Sequence, residues 1–499
     1  MFFAQSFSLI CLFCLSCLSY AAEPSVERLM LLHKLDKPNP TQQHQVQHTT
    51  KTLPQINKPL RLLLDVRSNH SDGGHTMREL MYFAQKRHFD VLAFNEHDRF
   101  TIRLGLEPMP SFMGYSQEHP SLYQTGLEDF FDDLRATQQQ TSLTLMAGTE
   151  STMGYTWSGI PFKDLSLHGA ERHIITLGAT QAEQIEALPS YSLKHAYGLQ
   201  SLSLIVWLAL VLLLVFALFR YRTRSVALLL ASSLLAFMGT WLMDPQPDDM
   251  DTDFINTANE QGLFTIWAHP GTRSGVREGP MGVKLDTPPY NSHIFDYPAD
   301  AFAAVYGDTD QNTAAGSLWD RFMMQYMRGY VDKPMWAVAA GDFHAQGQAN
   351  EYLGNFPMDI WATNTSQEAI LTALKQGRMT AWHMAKDNNI AVSTLYLSYL
   401  DAKTGQEKHM LTGDEASMAP PIKLVIGLRE LGQPTQPTSL KGHWIINGKI
   451  HGQVTLNTHD DTTSITSLFL PKGKHVIRFQ IPYQHGIRLE TNPFLVQVR

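Results

Sequence analysis

LLLDVRSNHSDGGHTMRELMYFAQKRHFDVLAFNEHD, residues 62–98, decides how the rest of this chain is read. Leu62 to Val66 is a short apolar run. Ser71, Asp72, Gly73 and Gly74 are turn residues, and Thr76 with Glu79 three positions later spells a capping box at the mouth of a helix. Met77, Leu80, Met81 and Ala84 recur at helical spacing. Val91 to Phe94 is a second apolar run, short enough for a buried parallel strand. The unit therefore reads strand, turn, helix, strand. It gathers metal-capable groups at the C-terminal ends of two strands: Asp65 and Asp72 after the first, His97 and Asp98 after the second. In α/β barrels that end carries the chemistry.

The stretch resembles the PHP family, metal-dependent phosphoesterases named after polymerase and histidinol phosphatase members. Ser71-Asp72-Gly73 stands as in the family's first motif, and Asn95-Glu96-His97 is a variant of its Thr-Asp-His. The family's His-x-His falls on Asp65-Val66-Arg67, which departs from it. Further along, Leu143 to Met146 reads as a strand leading into Gly148-Thr149-Glu150, similar to the family's Gly-x-Glu. His173 to Gly178 resembles the His-bearing strand that follows. Leu263 to Ala268 is a strand ending in His269-Pro270-Gly271, similar to the His-Pro motif. Phe302 to Tyr306 reads as another strand, and Met335 to Ala340 ends in Gly341-Asp342-Phe343-His344, similar to the closing Asp-x-His. The resemblance spans Leu60 to Trp382. Each motif is common alone; their order, each at a strand end, is what carries it.

The resemblance implies a site. Asp72, His97 and His344 would share one divalent ion, and Glu150, His173 and His269 another. Glu150, as the catalytic bridging carboxylate, would reach a third ion near Asp65 and Asp342. Imidazole suits Zn, Fe and Mn and carboxylates suit Mn, so the expected cofactors are two or three such ions. They would act on a small phosphorylated substrate, a phosphomonoester or phosphodiester. Other readings of these residues stay open. Asp72 is also an ordinary turn residue, and His168 competes with His173. His70 and His75 lie near the first motif, off its spacing. Arg67 cannot ligate a cation. Either it grips the substrate's phosphate bidentately, or the site has decayed to a ligand-binding or sensory module. Glu96 is expected to support His97. A barrel hydrolase acting on carbon–nitrogen bonds would use similar ligands but lacks a lysine at a recognisable ligand position.

Outside this region, 499 residues at 43% hydrophobic can bury several cores. A formal charge of −8 without a dense basic patch argues against a nucleic-acid partner. Residues 1–22 read as a secretory signal peptide or an uncleaved anchor, and contain all three cysteines, Cys11, Cys14 and Cys17. Cleavage would leave neither disulfides nor thiolate zinc sites. Residues 23–59 read as a linker.

Ser201 to Phe219 and Ser225 to Met243 are uncharged apolar runs joined by Arg220-Tyr221-Arg222-Thr223-Arg224. Each is long enough to cross ~30 Å of hydrocarbon, and the arginines favour the cytoplasmic side. A transmembrane helical hairpin at 201–243 is thus expected, dividing a barrel of 60–200 and 244–388. A buried helical pair is the alternative. From 389 to 499, short strand-like runs with turns such as Asn447-Gly448 suggest a β-sandwich able to bind a protein partner. The expected fold is α/β: a distorted (β/α)7 PHP-type barrel interrupted by the hairpin and followed by an all-β immunoglobulin-like sandwich. The expected location is the cytoplasmic membrane, in contact with the lipid bilayer, with both domains on the periplasmic or extracellular side.

Overall fold

The structure is a computed structural model. It describes residues 45–499 except 50–57, 106–113, 160–162, 190–211, 221–224, 228, 232–246, 272–275, 280–281, 307–309, 349–350, 433–438 and 459–462. The expected signal peptide and most of the expected linker lie outside the described residues.

Seven strands close into a ring. Leu60–Val66 runs parallel to Val91–His97, which runs parallel to Thr144–Thr152. His173–Ala179 comes next and is antiparallel to both its neighbours, Thr144–Thr152 and Phe264–Trp267. Phe264–Trp267, Ala301–Val305 and Trp336–Ala339 are again parallel. A parallel bridge between Val66 and Phe343 returns to the first strand. Nearly every residue of these strands is buried, because side chains point alternately into the ring and into the layer outside it. The helix Met77–Lys86 starts at the capping box, with both reciprocal hydrogen bonds present. It buries Met77, Leu80, Met81 and Ala84, each large side chain stabilising by roughly 1.5–3 kcal/mol.

The ring is not an isolated body. Pro357–Ile360 pairs with both Leu60–Val66 and Met379–Met384, and Met379–Met384 pairs with Ile487–Thr491 near the chain's end. Among the described residues, nine strands between Ile390 and Val498 wrap a second core that includes Trp382, Leu424, Ile426, Trp444 and Phe479. Gln45–Thr49 adds to this layer against Thr463–Leu468. Residues 44–499 thus form one compact unit.

The expected fold class is corrected. The described chain is mostly β-sheet rather than α/β, since the C-terminal strands outweigh the helices. The later strands continue the ring's own sheet. Nor is the transmembrane hairpin supported. Among the described residues no helix is long and apolar enough to cross a membrane. Within the two apolar runs, helix is described over 212–220, 225–227 and 229–231. The rest of 201–243, most of the expected hairpin, lies outside the described residues. The expected location at the cytoplasmic membrane is likewise not supported.

Candidate metal centre

The rim where the parallel strands end collects the predicted groups. Asp65 and His97 close the first two strands, Glu150 lies near the end of the third, and His269, Asp342 and His344 follow later ones. His173 opens its strand instead of ending it; because that strand is antiparallel, its start lies at the same rim, opposite Thr152. Two glycines make room. A Cβ on Gly148 would lie 1.9 Å from the Thr176 carbonyl, and one on Gly73 would lie 2.3 Å from that of Arg67. Asp65, His269 and Asp342 adopt φ of 64°, 25° and 43°, a region that costs non-glycine residues about 1–3 kcal/mol each and that concentrates at functional sites. Surrounding bonds hold the Asp65 backbone there: its N–H donates to Asn95 Oδ1 at 2.9 Å and its carbonyl accepts from Phe343 at 3.0 Å.

The structure brings the predicted residues into three groups: Asp72, His97 and His344; Glu150, His173 and His269; Asp65, Glu150 and Asp342. Glu150 Oε1 lies 3.1 Å from His173 Nδ1 and 3.1 Å from His269 Nε2. Asp72 Oδ2 lies 3.2 Å from His344 Nε2 and 3.7 Å from His97 Nε2. Two donors held by one ion at ~2.1 Å stand about 3.0–3.4 Å apart in octahedral or tetrahedral geometry, so the 3.1 and 3.2 Å separations suit a small divalent ion and the 3.7 Å one is slightly wide.

Proton placement sharpens the fit. His97 Nδ1 faces the Glu150 carbonyl at 3.2 Å, His173 Nε2 the Ala170 carbonyl at 3.2 Å, and His344 Nδ1 the Asp342 carbonyl at 2.8 Å. A carbonyl only accepts, so these nitrogens carry the protons, and in a neutral ring the other nitrogen is an acceptor. Those other nitrogens face carboxylate oxygens. For His97 and His173 this sets acceptor against acceptor, which calls for a cation between them, whereas His344 Nε2 also lies within hydrogen-bond reach of Arg67 Nε. Burial, with Arg67 adding to it, holds the His97 imidazole well below its usual range, so its ring is neutral near pH 7. For His344 burial acts the same way, but the hydrogen bond with Asp72 outweighs it and raises the group.

Arg67 lies inside the centre. It is fully buried. Its Nη2 donates to Glu150 Oε2 and to Asp342 Oδ1, the latter at 2.8 Å. Nη1 donates to the Asn95 carbonyl at 2.6 Å and lies 3.5 Å from Asp65 Oδ1. Nε donates to His344 Nε2 at 3.3 Å and lies 3.5 Å from Asp72. Burial alone would weaken the guanidinium's hold on its proton, but Asp65, Asp342 and Asp72 more than offset it. Burial raises the Asp65 carboxyl. Asp72 also feels burial, yet its bond to His344 and the nearby His97 and Arg67 hold it well below the usual range.

Several other groups turn out differently from expectation. Glu96 does not touch His97. Its carboxylate accepts from Ser68 N at 2.9 Å, from Ser68 Oγ at 2.6 Å and from Ser71 Oγ, and so braces the loop that presents Asp72. Ser71→Ala should therefore weaken metal binding about 10–100-fold, the usual cost of losing a supporting bond, without removing a ligand. Isothermal titration of the stripped protein with Zn²⁺ measures it. Asp98 belongs to none of the three groups. His168 turns away to Ser158 and Asp286, leaving the place to His173. His70 binds Asp133, and His75 stacks on Phe343. Tyr306, which the sequence offered only as the end of a strand, donates its hydroxyl to Asp342 Oδ2 at 3.1 Å.

No protein-family model matches the chain, and no curated protein does. Among solved structures, it is similar to a two-domain protein from Bacteroides vulgatus containing a predicted PHP-like metal-dependent phosphoesterase. That match has 12% identity and a TM-score of 0.34, over 87% of this chain and 95% of that one. A candidate metal-dependent phosphoesterase from Bifidobacterium adolescentis is similar at 15% identity and a TM-score of 0.26, over 59% and 90%. An amidohydrolase from Chromobacterium violaceum with bound sulfate is similar at 15% identity and a TM-score of 0.25, over 57% and 88%. Likenesses this distant do not decide the activity of this chain, which rests on the centre itself.

Proposed function

We propose that this chain is a metal-dependent hydrolase that cleaves a phosphoester at a centre holding two divalent ions. One observation carries the reading: the buried His173 ring gives its Nε2 proton to the Ala170 carbonyl and turns its acceptor nitrogen to the buried Glu150 carboxylate across 3.1 Å, an arrangement that a divalent cation satisfies. Charge points the same way. Asp65, Asp72, Glu150 and Asp342 offer four carboxylates to Arg67, the one guanidinium among them, and a buried excess of that size needs cations.

Asp72, His97 and His344 would hold one ion, and Glu150, His173 and His269 the other. Bound ions of this kind polarise a phosphoryl oxygen and bring a water's pKa near neutrality. The chain's own part is orientation. The Glu150, Ala170 and Asp342 carbonyls fix three ring tautomers, and Glu150 spans two histidines and Arg67 with its two oxygens. The side chains of Glu150, His173 and His269 are 0–6% exposed, whereas those of Asp72 and His344 are 26% and 20% exposed. Substrate would therefore approach past Asp72 and His344. The order of motifs favours phosphoryl over carbon–nitrogen chemistry, for which no lysine stands at a matching position.

The test is elemental analysis of the purified chain beside His269→Ala, with hydrolysis of an aryl phosphate assayed on both. We expect two ions and metal-dependent turnover in the wild type, with both reduced in the variant. Folded protein that takes up no metal would refute the reading. Metal without turnover on any phosphoester would favour the ligand-binding alternative.

A further inference from the structure

We infer that Arg67 is a built-in cation standing where a third metal ion would otherwise sit, so that the centre loads two ions and not three. The inference rests on the metal-dependent reading above and concerns how many ions that site takes.

Of the three groups able to hold an ion, two are built from one carboxylate and two histidines. The third, Asp65 with Glu150 and Asp342, is all carboxylate and fully buried. It is this group that the guanidinium enters. Nη2 donates to both Glu150 and Asp342, while Nη1 stands 3.5 Å from Asp65. An ion held by the same three oxygens would have to lie ~2.0–2.2 Å from each. That space belongs to Nη2, and guanidinium and ion exclude one another by size as well as by charge.

The same contacts remove Arg67 from the list of substrate clamps. Arginine has five N–H donors. Those of Nε, Nη1 and Nη2 are directed at His344, the Asn95 carbonyl, Asp65, Glu150 and Asp342, all from the protein. Each of its three nitrogens already serves a protein acceptor and the whole fork is buried, so Arg67 is poorly placed to grip a phosphate. Because arginine cannot lose its proton under ordinary conditions, its charge is as permanent as an ion's and does not depend on metal supply.

The two departures from the His-x-His pattern also explain each other. Asp in place of a neutral ring adds one negative charge at position 65, and Arg adds one positive charge at position 67. The two side chains lie against each other in the structure. Asp65 further uses Oδ2 to accept from the Asp342 N–H at 2.8 Å, so it ties the strand end to the loop bearing Asp342 and His344. Asp65 without Arg67 would add a further buried negative charge to Glu150 and Asp342. Together they preserve the balance of the site.

Two measurements on the full chain test this. Stripped protein reloaded with excess Zn²⁺ and desalted should carry two ions per chain, and Asp65→His/Arg67→His should carry three. In crystals of the reloaded wild type, anomalous scattering should show one peak beside Asp72, His97 and His344, one beside Glu150, His173 and His269, and none among Asp65, Glu150 and Asp342. Three ions in the wild type, or a peak in the all-carboxylate group, would overturn the inference while leaving the metal-dependent hydrolase standing. A double variant that melts like the wild type and still carries two ions would overturn it as well. If the double variant does not fold, the wild-type diffraction decides alone. Wild type without metal would overturn the functional reading and this inference together.

Discussion

Glu150→Gln should lower phosphoester turnover by on the order of 10³-fold or more and remove the ion held with His173 and His269, while the chain still folds. The carboxylate works at both ends. Oε1 lies 3.1 Å from two imidazole nitrogens, and Oε2 bonds to Arg67. An amide has the same shape but one oxygen and one NH2 group. If the oxygen faces the histidines, the NH2 meets Arg67 donor to donor. If it faces Arg67, an N–H points where the ion's ligand should be. Neither orientation serves both partners. Loss of a ligand that also carries charge removes several kcal/mol of the stabilisation that an ion gives to a developing negative charge, hence the expected rate loss. The cost in stability should be smaller than for a bare buried arginine, about 3–5 kcal/mol, because Asp342 and Asp65 still face the guanidinium. Steady-state rates, ions per chain and the urea midpoint together check the prediction. A glutamine variant with full metal content and unchanged rate would mean that Glu150 is only a buried partner for Arg67.

Much of this candidate centre was legible in the sequence because each candidate ligand ends, opens or follows a strand, and strand ends can be read from short apolar runs bounded by turn residues. The capping box at Thr76 and Glu79 fixed the first helix for the same local reason. What stayed hidden depends on contacts between distant positions. Arg67 reaches Asp342 across 275 residues and Glu150 across 83, and nothing near residue 67 tells whether its guanidinium faces substrate or carboxylates. Glu96 looked like a support for its neighbour His97, yet it braces Ser68 and Ser71, since a strand sends successive side chains to opposite faces. The pairing of Met379–Met384 with Ile487–Thr491 joins two cores that composition alone separates. Hydropathy misled in the other direction. The apolar runs around Arg220 satisfy a length rule for membrane crossing, whereas among the described residues no helix is long and apolar enough to cross a membrane.

Asp320→Ala should destabilise the chain by about 3–5 kcal/mol, the cost of removing one partner of a buried ion pair, and its effect should reach the metal centre. Asp320 lies on the helix Leu318–Arg328 and accepts a two-point bond from Arg478 of the strand Gly473–Gln484, at 2.7 and 3.0 Å. It also accepts from the Gly316 N–H at 2.8 Å. Both ionic side chains are nearly inaccessible, at 1% and 3% exposure. With the carboxylate gone, Arg478 keeps Glu490 at 3.0 Å, but Glu490 already serves Arg488 and Gln480. One buried carboxylate would then answer two guanidinium groups. Asp320→Leu/Arg478→Met, which removes both charges and keeps apolar volume, should recover part of the loss, and the double-mutant cycle gives the coupling of the pair. The link to the centre is Thr313. Its carbonyl accepts from Arg478 Nη2 at 2.7 Å and from Gln480 at 3.2 Å, and its hydroxyl bonds to Arg488. Thr313 lies on the same connection as Tyr306, whose hydroxyl holds Asp342. Loosening the Thr313 end should therefore weaken metal binding as well as lower the denaturation midpoint, whereas a purely structural lock would move the midpoint alone. Urea titration and Zn²⁺ calorimetry on the same preparation separate the two. The C-terminal strands earn a part in the chemistry only if both quantities move.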